Sequence, residues 1–401
     1  MCAALTFNLC LSAGYVGLWL MLAAQGEFWR ADFTGYYTGW LMVADGQGPR
    51  LYDVLLQTVY QQATLAGRSF VDGVLPFNYP PYTALPFVPV TLLPLGPAFW
   101  AWTAGELALL GVLLRTLWRY TAAWSTSERA ILVSGVLAFP PLLWTLQQGA
   151  FSLFITLCVL QWYLALKQGH DGRAGAWLAG GLIKPQLIVL PVLMLLVGRR
   201  WRAVLVLGAI AALLVLPSLL VLGIPAWIDY LGMVRRMSNL FGAFGINPGD
   251  MLNVRGLLAA LLGSAHAATI NLVTAVVLVG AIVVTAALWR GPWRPQESEF
   301  DLRVALTIAL GLVTSPYLYP HDALVLIVPV TLAYGYLRAH NLPRRVFAVC
   351  VLANPVVFLV SELGLRGVLP VRLGFVAIVV LTVWLAHALR GAERVSAATA
   401  P

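Results

Sequence analysis

Six short stretches of this 401-residue chain carry polar or ionisable side chains on an otherwise apolar background, and each suits a particular chemical task. Asp32, in Arg30-Ala-Asp-Phe-Thr-Gly-Tyr-Tyr37, is a carboxylate among aromatic residues. Near an acceptor hydroxyl it would serve as a general base. In water it would be a loop carboxylate, and ahead of a helix starting near Thr34 it would be a cap. Phe77-Asn-Tyr-Pro-Pro-Tyr82 reads, on physical grounds alone, as an aromatic belt at a membrane interface. Gln147-Gln148-Gly149-Ala-Phe-Ser152 places paired amides at a helix end, where they either hydrogen-bond a sugar or form a polar turn. Lys184 interrupts an apolar run. There it requires water, a partner or an anion, unless its stem snorkels to the interface. Arg235, Arg236 and Arg255 stand in a long polar segment and invite a phosphate, a lipid headgroup or an ion pair with Asp229 or Asp250. In Ser315-Pro-Tyr-Leu-Tyr-Pro-His-Asp322, His321 suits a hydrogen bond to a phosphate or a leaving oxygen, and Asp322 suits either that site or the cap of the next helix.

The elements that position these residues are set by composition. Apolar residues make up 60% of the chain and charged residues 10%, against about 25% charged in soluble domains. Mean hydropathy is +0.84. Apolar runs long enough to cross a ~30 Å hydrocarbon core recur from end to end. They predict an all-α polytopic membrane protein, one bundle over residues 1–401 with about a dozen transmembrane helices. The net charge of +9 sits in short basic clusters between apolar runs, the pattern of cytoplasmic loops rather than of nucleic-acid binding. Cys2, Cys10, Cys158 and Cys350 lie in or beside apolar runs without CxxC spacing and read as small hydrophobes. No metal cluster and no nucleotide loop is evident, so neither a metal nor a cofactor is expected.

With the basic clusters on the cytoplasmic side, the first run, Leu5–Ala24, is a retained helix lacking a basic leader. Pro97–Trp118 runs inward. Outward and returning pairs follow: Ile131–Leu146 with Phe151–Leu166, Val204–Leu222 with Ala268–Trp289, Val304–Leu318 with Ala323–Leu337, and Val346–Leu363 with Val371–Leu389. Ala174–Val197 has basic residues at both ends, so it reads as a hairpin broken at Lys184-Pro185. Pro80–Leu95, with Pro80, Pro81, Pro86, Pro89 and Pro94, reads as an interfacial or re-entrant segment. Two long polar segments fall outside: a first loop within 25–95, carrying Glu27, Asp32, Asp45, Asp53 and Asp72, and a second at 223–267. The candidate residues therefore gather on the extracytoplasmic side. An outward polar pocket of this kind suits either a transfer from a lipid-anchored phosphate donor or passage of a polar solute. One broken hairpin without a second copy, and long loops on one side only, favour the enzyme over a transporter or flippase.

In their order and spacing, Asp32-Phe33 with Tyr36-Tyr37, Gly48-Pro-Arg-Leu-Tyr-Asp53, Phe77-Asn-Tyr-Pro-Pro81, Gln148-Gly149, Ala179-Gly180-Gly181-Leu-Ile-Lys184-Pro185, Arg199-Arg200-Trp201 and Ser315-Pro316 with His321-Asp322 resemble glycosyltransferase family 87. The family comprises polyprenyl-phosphate-mannose-dependent mannosyltransferases of the GT-C fold, and the resemblance spans roughly residues 30–330. Ala150 departs from the family's Gln-Gly-Gln, leaving Gln147 to supply the second amide, and Asn247 and Asn253 only loosely echo its asparagine-rich stretch. The resemblance implies a GT-C bundle with interfacial outer-loop helices in the plasma (inner) membrane. It implies transfer of a sugar, expected to be mannose, from a polyprenyl phosphate to a lipid or glycan acceptor outside the membrane, with inversion to an α product. Asp32 would be the general base. His321, with Lys184 and Arg255, would hold the departing phosphate. Tyr36, Tyr37, Asn78, Tyr79, Gln147, Gln148, Tyr319 and Asp322 complete the expected substrate contacts.

Overall fold

The computed structural model describes residues 2–68, 70, 73–237, 246–361 and 372–399. Asp72, part of the first polar segment, and the expected run boundaries at Leu363 and Val371 lie outside them. Among the described residues the chain is helical throughout, with one isolated bridge between Phe70 and Gly73. It divides into two compact units. The first comprises Met1–Ala138, Leu142–Phe154 and Ala209–Pro248; the second comprises Phe139–Pro141, Ile155–Gly208 and Gly249–Pro401.

The first unit contains α1 (Cys2–Ala24), α2 (Asp32–Ala44), α3 (Val54–Thr64), α4 (Leu95–Tyr120), α5 (Thr126–Leu137) and most of α6 (Pro140–Gln148). α2 is the buried centre. Its Phe33, Tyr36, Tyr37 and Trp40 lie in a mesh of rings with Phe87, Trp102 and Phe151, contacts worth roughly 0.5–1.5 kcal/mol per pair beyond their burial. A Cβ at Gly39 would come within 2.5 Å of the Phe77 ring, so only glycine admits this approach. α3 is turned inside out. Its amides Gln57 and Gln61 are buried and hydrogen-bond the backbone of Leu51, Leu75 and Phe77 at 2.6–2.9 Å, while Leu55 and Val59 face outward. The outward apolar face suits a protein whose surroundings are partly lipid. Pro80–Leu95, expected to avoid regular α-helix, forms 3₁₀ turns at Pro81–Thr83 and Leu85–Leu92, the second packed on α2.

The second unit contains α7 (Ser152–Lys167, entered from the first), α8 (Asp171–Ala179), α9 (Val189–Val197), the start of α10 (Trp201–Met237), α11 (Val254–Leu262), α12 (Ala267–Leu288), α13 (Ser298–Thr314), α14 (Ile327–Ala339), α15 (Arg345–Leu359) and α16 (Leu373–Thr399). α13 packs against α9, α12, α14 and α16. The expected hairpin is present. α8 gives way to a 3₁₀ turn at Gly180–Ile183, Lys184 is non-helical, and the chain resumes through Pro185–Leu187 into α9. Its two ends return to one place, because Asp171 pairs with Arg200 at 2.6 Å and Gly175 lies directly against the Ala203 carbonyl.

Among the described residues six helices are long and apolar enough to cross a membrane: Cys2–Ala24, Leu95–Tyr120, Trp201–Met237, Ser264–Leu288, Pro320–Ala339 and Leu373–Arg394. The expected single run Ile131–Leu146 is instead two helices, α5 and α6, bent by 43°. Pro140 and Pro141 account for the break, since each disfavours helix in the residue before it. Counting that pair as one span makes seven. The other runs expected to cross, out of about a dozen, form shorter or interrupted helices that do not reach this length. The second polar segment is also largely helical: α10 continues past a kink at Gly223 (φ 78°) to Met237, and α11 follows.

Candidate active site

Asp32 is the first residue of α2, preceded by Ala31, which provides no side-chain cap. The first N–H groups of a helix lack intrahelical partners. Here the Asp32 N–H donates to Gln148 Oε1 at 2.9 Å. Gln148 is the last residue of α6, and the helix ends there because Gly149 adopts a left-handed φ of 62°. A Cβ at Gly149 would approach that of Phe33 to 3.0 Å, and its carbonyl accepts from Trp102 Nε1 at 3.0 Å. The amide expected to bind sugar therefore also anchors the backbone of the candidate base. The carboxylate sits at the positive end of α2, which favours its charge, and remains half-exposed.

Nearby in the same unit, the Tyr36 and Tyr79 hydroxyls lie 3.0 Å apart with their rings edge to face. The Tyr52 hydroxyl donates to the Tyr79 carbonyl at 2.5 Å. Tyr37 donates to the Leu93 carbonyl at 2.9 Å and so ties α2 to the proline-rich segment. Asn78 is half-buried between buried Phe77 and Tyr79, and Gln147 is half-buried beside Gln148. Asp32, Tyr36, Tyr79 and Gln148 are thus neighbours on one helix and the segments packed against it. Sequence reading took in Phe151 and Tyr52 only as unassigned members of motifs and left out Trp102; all three hold this group in place. No polar pattern marks them; each resembles any other aromatic in an apolar run.

The second unit holds a charged cluster. Lys184 is buried, with Nζ 2.5 Å from Asp322 Oδ1 and 3.3 Å from His321 Nε2. Snorkelling is therefore not its role. Asp322 is 0% exposed. Its second oxygen accepts the Tyr319 N–H at 3.3 Å, so it closes the turn that starts the next helical segment while holding the lysine. Tyr319 stacks on His321 with centroids 6.1 Å apart. Arg255, expected in an open loop, is instead buried on α11, whose first turn is capped by Asn253 accepting from the Gly256 N–H at 2.7 Å. Its Nη1 reaches the Pro316 carbonyl at 3.5 Å, and Leu252 donates to the Leu318 carbonyl at 2.8 Å, binding this element to the His321 segment. Burial holds the Arg255 guanidinium below its usual range, an effect opposed by the phenols of Tyr317 and Tyr319. Asp250, one of its candidate partners, pairs with Arg372. Arg235 and Arg236 are exposed on the far arm of α10. Among the described residues no three His, Cys, Asp or Glu gather as a metal-binding group.

Chemically, the first group offers a half-exposed carboxylate on a fixed backbone. The second offers lysine, histidine and arginine with a single buried counter-carboxylate, an arrangement suited to an anion. Glycosyltransferase family 87 matches the chain over residues 77–316. A protein of Mycolicibacterium smegmatis (strain ATCC 700084 / mc(2)155), polyprenol-phosphate-mannose-dependent alpha-(1-2)-phosphatidylinositol pentamannoside mannosyltransferase, is 30% identical over 310 residues, covering 76% of this chain and 69% of the relative. No solved structure matches. The chain belongs to glycosyltransferase family 87 and is a membrane glycosyltransferase.

Proposed function

We propose that this family 87 glycosyltransferase transfers mannose from a polyprenyl-phosphate donor to a lipid or glycan acceptor on the extracytoplasmic side of the plasma membrane, with inversion at C1. The buried Lys184–Asp322–His321 cluster is the observation that carries this reading, because it prepares a cationic site for a departing phosphate within an otherwise apolar chain. The name of the mycobacterial relative supplies the donor class and a lipid acceptor.

In this mechanism Asp32 accepts the proton of the acceptor hydroxyl as that oxygen attacks C1 of the β-linked sugar. The C1–O bond to phosphate breaks, and the electron pair leaves with the polyprenyl phosphate. Lys184 and His321, with Arg255, stabilise the charge that grows on the leaving oxygens, the larger share of the rate enhancement. Asp322 keeps Lys184 fixed and Gln148 keeps Asp32 fixed. Tyr36, Tyr79, Asn78, Gln147 and Tyr319 are the further sugar or lipid contacts. Tyr37 belongs to the scaffold, through its bond to Leu93. Basic clusters held on the cytoplasmic side support an outward position for these residues.

The test is transfer of label. Purified protein in nanodiscs is incubated with radiolabelled polyprenyl-phosphate mannose and a membrane lipid extract. The reading expects a new labelled lipid or glycan with wild type and none with Asp32→Ala. Label that never leaves the donor, or a product unaffected by Asp32→Ala, overturns it.

A further inference from the structure

Arg255 owes its place to contacts at the start of α11, and one of them comes from a helix more than a hundred residues away. The turn that leads into α11 is gripped by Arg372, the residue just before α16. Its Nε donates to the Gly249 carbonyl at 3.2 Å, and its Nη2 donates to the Asp250 carboxylate. The two side chains are only 12% and 15% exposed. Solvent therefore screens this pair far less than a surface pair such as Arg294 with Glu297. A planar guanidinium that holds a carboxylate and a carbonyl together fixes direction as well as distance.

Two further contacts pass this constraint on, and all of these residues lie in the second unit. Leu252, two residues beyond Asp250, donates its N–H to the Leu318 carbonyl at 2.8 Å. A Cβ at Gly374, in the first turn of α16, would come within 3.3 Å of Leu252 Cδ1 and 3.0 Å of the Phe358 ring, so α16 begins directly against Leu252. The Leu373 N–H donates to Ser361 Oγ at 2.9 Å, which ties the same helix start to the chain just past α15. α11 is thus held on one side by the segment that leads to His321 and on the other by Arg372. A shift of α11 would move the Arg255 guanidinium relative to His321.

We infer that Arg372, through Asp250 and the Gly249 carbonyl, is a positioning residue that sets Arg255 against the His321 turn to receive the donor phosphate. The inference rests on the reading of Lys184, His321 and Arg255 as the phosphate site. Arg372 acts through Arg255 rather than on the substrate.

The experiment measures binding without turnover. The full chain in nanodiscs is titrated with polyprenyl phosphate, the lipid leaving group, and Tm is followed. A ligand that binds only the folded state raises Tm by mass action. Arg255→Gln should move the titration midpoint to about tenfold more lipid, the loss of one charge-assisted hydrogen bond. Arg372→Gln and Asp250→Asn should each move it severalfold. Arg372→Lys should move it less, because an ammonium keeps the charge without the fork. Arg372→Gln added to Arg255→Gln should move it no further than Arg255→Gln alone, since residues that act through one another are not additive. Arg303→Gln, which breaks the 2.9 Å pair with Glu393 near the other end of α16, should leave the midpoint unchanged.

A wild-type midpoint in Arg255→Gln, or in both Arg372→Gln and Asp250→Asn, overturns the inference. So does an equal shift in Arg303→Gln, which would make the effect one of general stability, and so does an additive loss in the double variant. Should Arg372→Gln fail to fold, a wild-type midpoint in Asp250→Asn overturns it alone. A wild type whose Tm ignores polyprenyl phosphate overturns it too, while the label test still decides the transfer reading. A wild type that binds polyprenyl phosphate yet moves no label sinks the transfer reading and leaves this inference to the variants.

Discussion

The surroundings of Asp32 and of Lys184 solve opposite problems. The backbone and rings around Asp32 are held by neutral groups: an amide oxygen on a backbone N–H, two phenols at 3.0 Å, an indole on a carbonyl. The one charge remains half-exposed. Around Lys184 the supports are ionisable side chains, a carboxylate at 2.5 Å and an imidazole at 3.3 Å, both buried. A group that must accept a proton from a substrate gains from access and from a rigid backbone. A cation meant to receive an anion must instead be kept buried and charged, which in a low-dielectric setting requires a counter-charge.

Asp32→Asn sharpens this contrast most. General-base catalysis is worth roughly 10²–10⁴-fold, so label transfer should fall by about that factor while Tm barely changes. A variant that keeps most of its turnover would reduce Asp32 to a helix-end charge. Lys184→Met is expected to do the reverse in stability. It leaves Asp322 buried without its lysine partner, a loss of about 3–5 kcal/mol in unfolding free energy, with transfer also lost. Lys184→Met combined with Asp322→Leu should recover much of the stability and none of the transfer. Recovery of both would break the assignment of Lys184 to the phosphate.

Gln148→Met probes the neutral side. Losing the acceptor for the Asp32 N–H should cost about 1–1.5 kcal/mol and lower transfer by about tenfold, whereas Gln148→Glu, which keeps an acceptor oxygen, should retain more activity than Gln148→Met. Equal activity in the two would shift the role of Gln148 from anchoring to direct sugar contact. The smallest effect is expected for Gly149→Ala. A left-handed alanine costs about 1–2 kcal/mol, read as a modest drop in Tm, with any loss of transfer following the displacement of Phe33.

Some of this was legible in residues taken singly. Lys184-Pro185 announced the broken hairpin because proline removes a donor and restricts its predecessor. The five prolines from Pro80 to Pro94 announced a segment without regular helix for the same reason. Asp32, Lys184 and His321 stood out because ionisable groups are rare in apolar chains. Other features were silent. The 43° bend at Pro140 was concealed inside a run whose hydropathy looked continuous. Arg255 read as a loop residue because its segment is polar, yet α11 carries it inside. α3 reversed the usual expectation: glutamines inward, leucine outward.

By itself the sequence determined that the protein is a helical membrane bundle, that its helices break at Lys184-Pro185 and along Pro80–Leu95, and which ionisable residues need a reason to exist. Those are consequences of local composition: hydrocarbon thickness sets span length, and backbone groups in lipid must be satisfied within the helix. Only the tertiary structure decided the partners. Gln148 meets Asp32 across 116 residues, and Asp322 meets Lys184 across 138. Such pairings depend on how separate helices pack, and packing brings together positions whose distance along the chain carries no signal of their contact.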